Sequence, residues 1–175
     1  MTALDPRDAE EIKSLKARYF RYIDTKQWDR LRTVFTDDAS FDGLWASAPT
    51  PEAFIETISK NLGRSDVVTV HQGFMPELRA LDADRARGIW GMEDYLTWPA
   101  GERAYLGVSV PGQRGIRGYG HYEEDYRRTS DGWRISFLRL TRLRIDPIVG
   151  DPGEQPVYPF VRASTDWLEQ VDQHG

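Results

Sequence analysis

The sequence predicts an α+β fold, and three observations predict it. Apolar residues recur at helical spacing up to Leu62. From Asp66 onward the period shortens to the two-residue alternation of half-buried strands. Near the end, Thr129-Ser130-Asp131-Gly132 separates two such runs, a composition that favours a tight hairpin. Helices first and a long meander after them place the helices on one face of a curved, mostly antiparallel sheet.

The elements follow in order. Asp5 before Pro6 reads as an N-cap and first helical position. Ile12, Leu15, Tyr19, Tyr22 and Ile23 then give residues 6 to 24 one apolar stripe. Trp28, Leu31, Val34 and Phe35 mark a second, short helix, and Ala39 to Trp45 a strand. Thr50-Pro51-Glu52 opens a third helix carrying Phe54, Ile55, Ile58 and Leu62, and Gly63 closes it. Asp66 to Leu81 is β-rich, and Asp82-Ala83-Asp84 connects it to a strand from Arg85 to Trp98. Pro99 to Pro111 is turn-rich, with Tyr105 and Leu106 at the edge of a pairing. Gly115 to Arg128 and Trp133 to Asp146 are the two strands of the hairpin. Residues 1–146 therefore read as one domain, and 147–175 as a C-terminal Pro-rich extension in which Ser164 to Val171 forms a short helix. Such an extension has no core of its own and needs a surface to dock on.

Composition narrows the function. The 175 residues suit one domain with a sizeable core, and six Trp, eight Tyr and seven Phe supply its bulk. A formal net charge of −5, with no Lys/Arg run interleaved with aromatics, argues against a nucleic-acid or anionic-membrane partner. Zero cysteines exclude disulfides, thiolate chemistry and Cys-ligated metal. Three widely spaced histidines do not make a His-rich metal site, so no metal is expected. Met-Thr-Ala-Leu-Asp-Pro-Arg-Asp has no basic region followed by an apolar one, and nothing approaches membrane-spanning length. A cytoplasmic protein is the expectation. Gly118 and Gly120 lie within a strand pattern and open no helix, which argues against a dinucleotide site.

Several local patterns recur in a fixed order. Tyr22-Ile23-Asp24 ends the first helix, followed by Trp28-Asp29-Arg30-Leu31 and Phe35-Thr36-Asp37-Asp38-Ala39. A strand Val67-Val68-Thr69-Val70-His71-Gln72-Gly73 comes next, and the series closes on Gly118, Gly120, Tyr122, Tyr126, Gly132, Trp133 and Ile135. From Asp8 to Asp146 this order resembles the SnoaL-like, scytalone-dehydratase-like branch of the nuclear-transport-factor-2-like superfamily. The resemblance implies a cone-shaped α+β barrel, in which a highly curved sheet wraps a long helix and leaves an apolar pocket. It also implies a homo-oligomer, a homodimer or homotrimer.

Asp24 and His71 fall where the family's dehydratases place an Asp–His dyad, Arg142 where they have a pocket-facing arginine, and Tyr19 where some members orient substrate. The second histidine of the fungal dehydratase has no counterpart, because alternation puts His121 on the face opposite Tyr122. Each candidate has a competing reading. Asp24-x-x-Gln27 also fits a helix capping box. A lone histidine on an apolar strand is more often a satisfied core residue than a base. Arg142 competes with Arg139 and Arg144; strict alternation puts Ser136, Leu138, Leu140, Arg142 and Arg144 on one face and Phe137, Arg139, Thr141 and Leu143 on the other. The first set mixes apolar residues with arginine, as a pocket wall with a polar anchor should. Trp90, Met92 and Tyr122 alternate as core residues do, and in a cone-shaped fold that same face lines the pocket.

The resemblance thus implies a cofactor-independent enzyme acting on a small apolar cyclic ligand. His71 would take a proton from carbon while Asp24 fixes its tautomer, and Arg142 and Tyr19 would stabilise the developing oxyanion. Dehydration is the first choice of reaction, with isomerisation or polyketide-type cyclisation through the same enolate next. Two readings from other classes stand beside it. One is a non-catalytic small-molecule-binding protein. The other is the small subunit of a ring-hydroxylating oxygenase, which needs a separate large subunit to hold iron centres.

Overall fold

The computed structural model describes residues 4–43, 48–99, 109–150 and 167–169. Its elements run α1 (Pro6–Asp24), α2 (Trp28–Arg32), β1 (Phe35–Asp42), α3 (Pro51–Leu62), β2 (Val68–Ala80), β3 (Arg85–Thr97), β4 (Gln113–Thr129) and β5 (Gly132–Val149), with a 3-10 turn at Trp167–Glu169. The five strands form one sheet in the order β1-β5-β4-β3-β2. β5-β4-β3-β2 is antiparallel throughout, and β1 joins β5 in parallel. The fold is α+β, as the sequence predicts, with the helices packed on one face. Among the described residues the sheet does not close into a barrel, and β1 and β2 are its two edges. No helix among the described residues is long and apolar enough to cross a membrane.

The caps act where the sequence places them. The Asp5 carboxylate accepts from the Arg7 N–H at 2.8 Å, and the Thr50 hydroxyl accepts from the Ala53 N–H at 3.2 Å. Gly63 ends α3 in a right-handed conformation, φ −78°, rather than the left-handed one usual for a terminal glycine. Glycine is needed there for another reason, since a Cβ would overlap the Ser59 carbonyl oxygen. α2 stops at Arg32, and Phe35 opens β1 instead of ending the helix, because it pairs with Ile135 of β5. β1 therefore starts at Phe35 rather than Ala39, and its expected end at Trp45 lies outside the described residues. β5 runs on to Val149, past the expected end at Asp146. Tyr105, Leu106 and the C-terminal extension beyond Gly150, apart from the 3-10 turn, also lie outside them.

Strand register fixes which side chains meet on the inner face. His71, Asp94, Gly118 and Ile145 form one row across β2 to β5; Gly73, Met92, Gly120 and Arg142 form the next; Trp90, Tyr122 and Leu140 lie beyond them. Strict alternation fails along β5 at two bulges. Ile135 pairs with Tyr126 and Phe137 with Asp125, so Ser136 is the extra residue; Arg142 pairs with Gly120 and Arg144 with Tyr119, so Leu143 is another. The inner set is therefore Ile135, Leu138, Leu140, Arg142 and Ile145. Ser136 and Arg144 do not share the face of Arg142, contrary to the expected alternation, and Leu143 is left exposed.

The α1 stripe, Ile12, Leu15, Tyr19 and Ile23, is buried against this face. Each such side chain contributes ~1.5–3 kcal/mol. At the β1 end, Phe35, Phe41 and Phe54 form an aromatic cluster, with Phe41 and Phe54 stacked at 4.2 Å.

Candidate active site

α1 ends at Asp24, beside the edge strand β2. An edge strand presents N–H groups with no neighbouring strand to take them. Asp24 supplies the acceptor: its Oδ2 accepts from the His71 backbone N–H at 2.8 Å. Its Oδ1 accepts from the Thr69 hydroxyl at 2.9 Å and lies 2.7 Å from His71 Nδ1. Gln27, not Asp24, is the N-cap of α2, so the capping-box alternative fails. A carboxylate can only accept, which puts the imidazole proton on Nδ1 and leaves the lone pair on Nε2. The two side chains are 22% (Asp24) and 8% (His71) exposed, so the pair is largely shielded from water. Lys26, just past α1, donates from Nζ to Thr69 Oγ1 at 2.9 Å.

A second polar pair adjoins the first. Asp94 is the register partner of His71 on β3 and is almost fully buried. Arg142 meets it in a bidentate ion pair, Nη1 to Oδ1 at 2.8 Å and Nη2 to Oδ2 at 2.6 Å. The guanidinium crosses β4 over Gly118, where a Cβ would overlap both Arg142 Nη1 and Asp94 Oδ1. Sequence reasoning selected Arg142 and missed Asp94. The signal was present: Asp94 is in phase with Trp90, Met92 and Leu96, a carboxylate on an apolar face.

Tyr19, Trp90 and Tyr122 belong to a third, fully buried cluster that sequence reasoning did not foresee. Lys16 pairs with Glu124, both side chains without solvent exposure. Glu124 also accepts from the Tyr126 hydroxyl, which accepts from Trp90 Nε1 at 2.8 Å. The Lys16 ammonium lies over the rings of Tyr122 at 3.6 Å, Tyr19 at 4.1 Å and Phe20 at 4.7 Å. Burial pushes Lys16 down to about 8, against the pull of Glu124, and pushes the Tyr19, Tyr122 and Tyr126 hydroxyls above their ordinary range. Tyr19 is thus a neutral hydroxyl packed edge-on to Tyr122. Met92 lies beside Arg142, its sulfur 3.7 Å from Nη1.

The structure therefore joins Asp24 to His71 and Arg142 to Asp94, groups Tyr19 and Tyr122 around Lys16, and links Trp90 to that cluster through Tyr126 and Glu124. Among the described residues, an open concavity of about 790 Å³ lies between α1 and the β4–β5 hairpin, lined by Arg7, Arg18 and Trp133 among others. A smaller one of about 400 Å³ lies beside Ile89, Phe137 and Arg139. Neither includes a predicted site residue. Among the described residues no three His, Cys, Asp or Glu side chains are grouped to hold a metal ion.

With this geometry in hand, comparison with known proteins places the chain. The family model described as the SnoaL-like domain matches residues 6–139. The chain belongs to the SnoaL-like family. That family lies in the nuclear-transport-factor-2-like superfamily. Among curated relatives, a Gibberella zeae protein named "Probable cyclase FGR4" is 30% identical over 156 residues, which span 81% of this chain and 95% of the relative. Among solved structures, a type 2 hexachlorocyclohexane dehydrochlorinase (LinA) superposes with a TM-score of 0.69 at 21% identity, covering 87% of this chain and 96% of its own. A scytalone-dehydratase-like protein of Novosphingobium aromaticivorans superposes with a TM-score of 0.66 at 14% identity, covering 85% and 94%. These structural likenesses establish the cone-type α+β fold.

Proposed function

We propose that this SnoaL-like protein is a cofactor-independent enzyme in which His71 Nε2 abstracts a proton from carbon in a small, apolar, cyclic substrate. The observation that carries the reading is the 2.7 Å contact between Asp24 Oδ1 and His71 Nδ1, fixed further by the Asp24 bond to the His71 backbone. A carboxylate so placed holds the proton of the neutral imidazole on Nδ1, leaves the Nε2 lone pair free to accept, and stabilises the imidazolium formed in the reaction. In the dehydration, the C–H electron pair becomes the new double bond and the β-hydroxyl leaves as water, with the proton it needs returned from the imidazolium. Arg142 offers N–H donors to the substrate oxygen as part of a charge-balanced pair with Asp94. This scheme suits a neutral oxygenated substrate whose C–H is already acidified by a carbonyl or aromatic ring.

Ring closure through the same enolate is the second reading, and the cyclase name of the 30%-identical relative favours it. Product mass separates the two: dehydration loses the mass of water, and cyclisation alone does not. We also propose that the working unit is a homodimer or homotrimer, supported by exposed Val70, Phe74 and Ile89 on the outer face of β2 and β3.

The test is a panel of hydroxylated steroids and aromatic polyketides, assayed with wild type, His71→Ala and Asp24→Asn. His71→Ala should lose turnover and keep the fold. Asp24→Asn should lose roughly hundredfold or more, as with other tautomer-fixing carboxylates. A substrate turned over normally by both variants would overturn the reading.

A further inference from the structure

We propose that Lys26 and Thr69 are positioning residues for His71, forming a chain Lys26–Thr69–Asp24 that holds the imidazole proton on Nδ1. The inference rests on the proton-abstraction reading for its catalytic meaning, but its geometry stands separately.

The Thr69 hydroxyl has one proton and two lone pairs and is free to rotate. An ammonium only donates, so Lys26 Nζ, 2.9 Å from Thr69 Oγ1, occupies a lone pair of that oxygen. The hydroxyl proton is then directed to Asp24 Oδ1, 2.9 Å away. With Oδ1 held by Thr69 and Oδ2 by the His71 backbone N–H, the carboxylate cannot rotate off the imidazole. Oδ1 is left facing Nδ1. A ring protonated on Nε2 instead would set a nitrogen lone pair against that oxygen, so the chain selects the tautomer whose Nε2 is a base.

The backbone supplies an independent observation. Lys26 has φ 60°, the left-handed conformation that follows a helix end and that glycine or asparagine ordinarily fills. A lysine there carries a steric penalty from its Cβ that glycine would not. This chain places a lysine at that position, and its side chain is the one that reaches Thr69. Half-burial lowers the Lys26 ammonium below its ordinary range while the Asp24 charge draws it back up, so the chain is anchored electrostatically at both ends.

The experiment reads the tautomer directly and needs no substrate. Nitrogen-15 NMR of His71 in the full chain, assigned against His71→Ala and recorded where the imidazole is neutral, distinguishes Nδ1–H from Nε2–H. Wild type should report Nδ1–H in measurable excess over Nε2–H. Thr69→Val and Lys26→Met should lower the Nδ1–H to Nε2–H ratio by ~tenfold, the scale of one hydrogen bond to a charged group. Thr69→Ser should restore it. Lys26→Gly separates positioning from folding: it should melt above Lys26→Met, because the backbone is relieved, yet show the same fall in ratio. On any substrate found, Thr69→Val should lower kcat by ~tenfold and leave KM within ~twofold. An unchanged tautomer ratio in Thr69→Val or in Lys26→Gly would overturn the proposal. Turnover by His71→Ala is a separate measurement and bears on the base reading alone.

Discussion

Replacing Lys16 with methionine probes the least expected feature of the interior. Methionine keeps most of the stem packed against Tyr19, Phe20 and Tyr122 but leaves the buried Glu124 carboxylate without its cation. Breaking a fully buried pair from one side costs ~3–5 kcal/mol. The pair itself is a poor investment at neutral pH. Burial lowers Lys16 from 10.5 to about 8, so the ammonium is disfavoured in the fold by ~3 kcal/mol. Lys16→Met/Glu124→Gln removes both charges and keeps an acceptor for Tyr126, so it should recover most of the loss and lie within ~1 kcal/mol of wild type. The pH dependence has a definite sign. Between about 8 and 10.5 the unfolded chain holds a proton on Lys16 that the folded chain has released. Raising the pH through that window therefore favours folding, and the stability of wild type relative to the double variant should rise by ~3 kcal/mol. Urea unfolding followed by circular dichroism at pH 7 and pH 10.5 measures all of this. A single variant costing under ~1 kcal/mol, or a difference that falls with pH, would refute the reasoning.

Other outcomes follow from the same structure. Gly118→Ala should force Arg142 and Asp94 apart and cost ~1–3 kcal/mol, a fall in Tm on the order of 5 °C by thermal denaturation. Arg142→Met should destabilise by ~3 kcal/mol by stranding Asp94, and Arg142→Met/Asp94→Leu should be more stable than Arg142→Met in urea titrations. Sedimentation at micromolar concentration should show a dimer or trimer, and Phe74→Glu should shift it toward monomer if the outer face of β2 forms the contact.

How far the sequence carries depends on where local pattern and tertiary context agree. β3 pairs on both sides with a single irregularity, opposite β2, and its alternation put Trp90, Met92 and Leu96 on the inner face correctly. β5 carries bulges at Ser136 and Leu143, which alternation cannot register, so Ser136 and Arg144 were assigned to the wrong face. Phe35 continues the apolar spacing of α2, yet a parallel partner on β5, a hundred positions later, claims it for a strand. Lys16 on the buried side of α1, and Asp94 and Glu124 on the inner face of the sheet, sit among apolar neighbours, and charge normally signals solvent. Their partners lie 108 and 48 positions away, and no local pattern predicts such pairs. Asp24 and His71 are legible because the order of motifs resembles a family; the residues alone leave a helix cap open for Asp24 and favour a core histidine at position 71. The Thr69 and Lys26 contacts to that site required the fold.

Whether His71 takes a proton from carbon is read from the fate of deuterium at that carbon. Wild type and His71→Ala are incubated in H2O with panel substrates deuterated at the acidified carbon, and loss of that deuterium from recovered substrate and product is read by mass spectrometry. The readout does not depend on whether water is then lost or a ring closes. Wild type should release the label, and His71→Ala should release none above background. Equal release by His71→Ala, or product that keeps all of its deuterium, would contradict this role for His71.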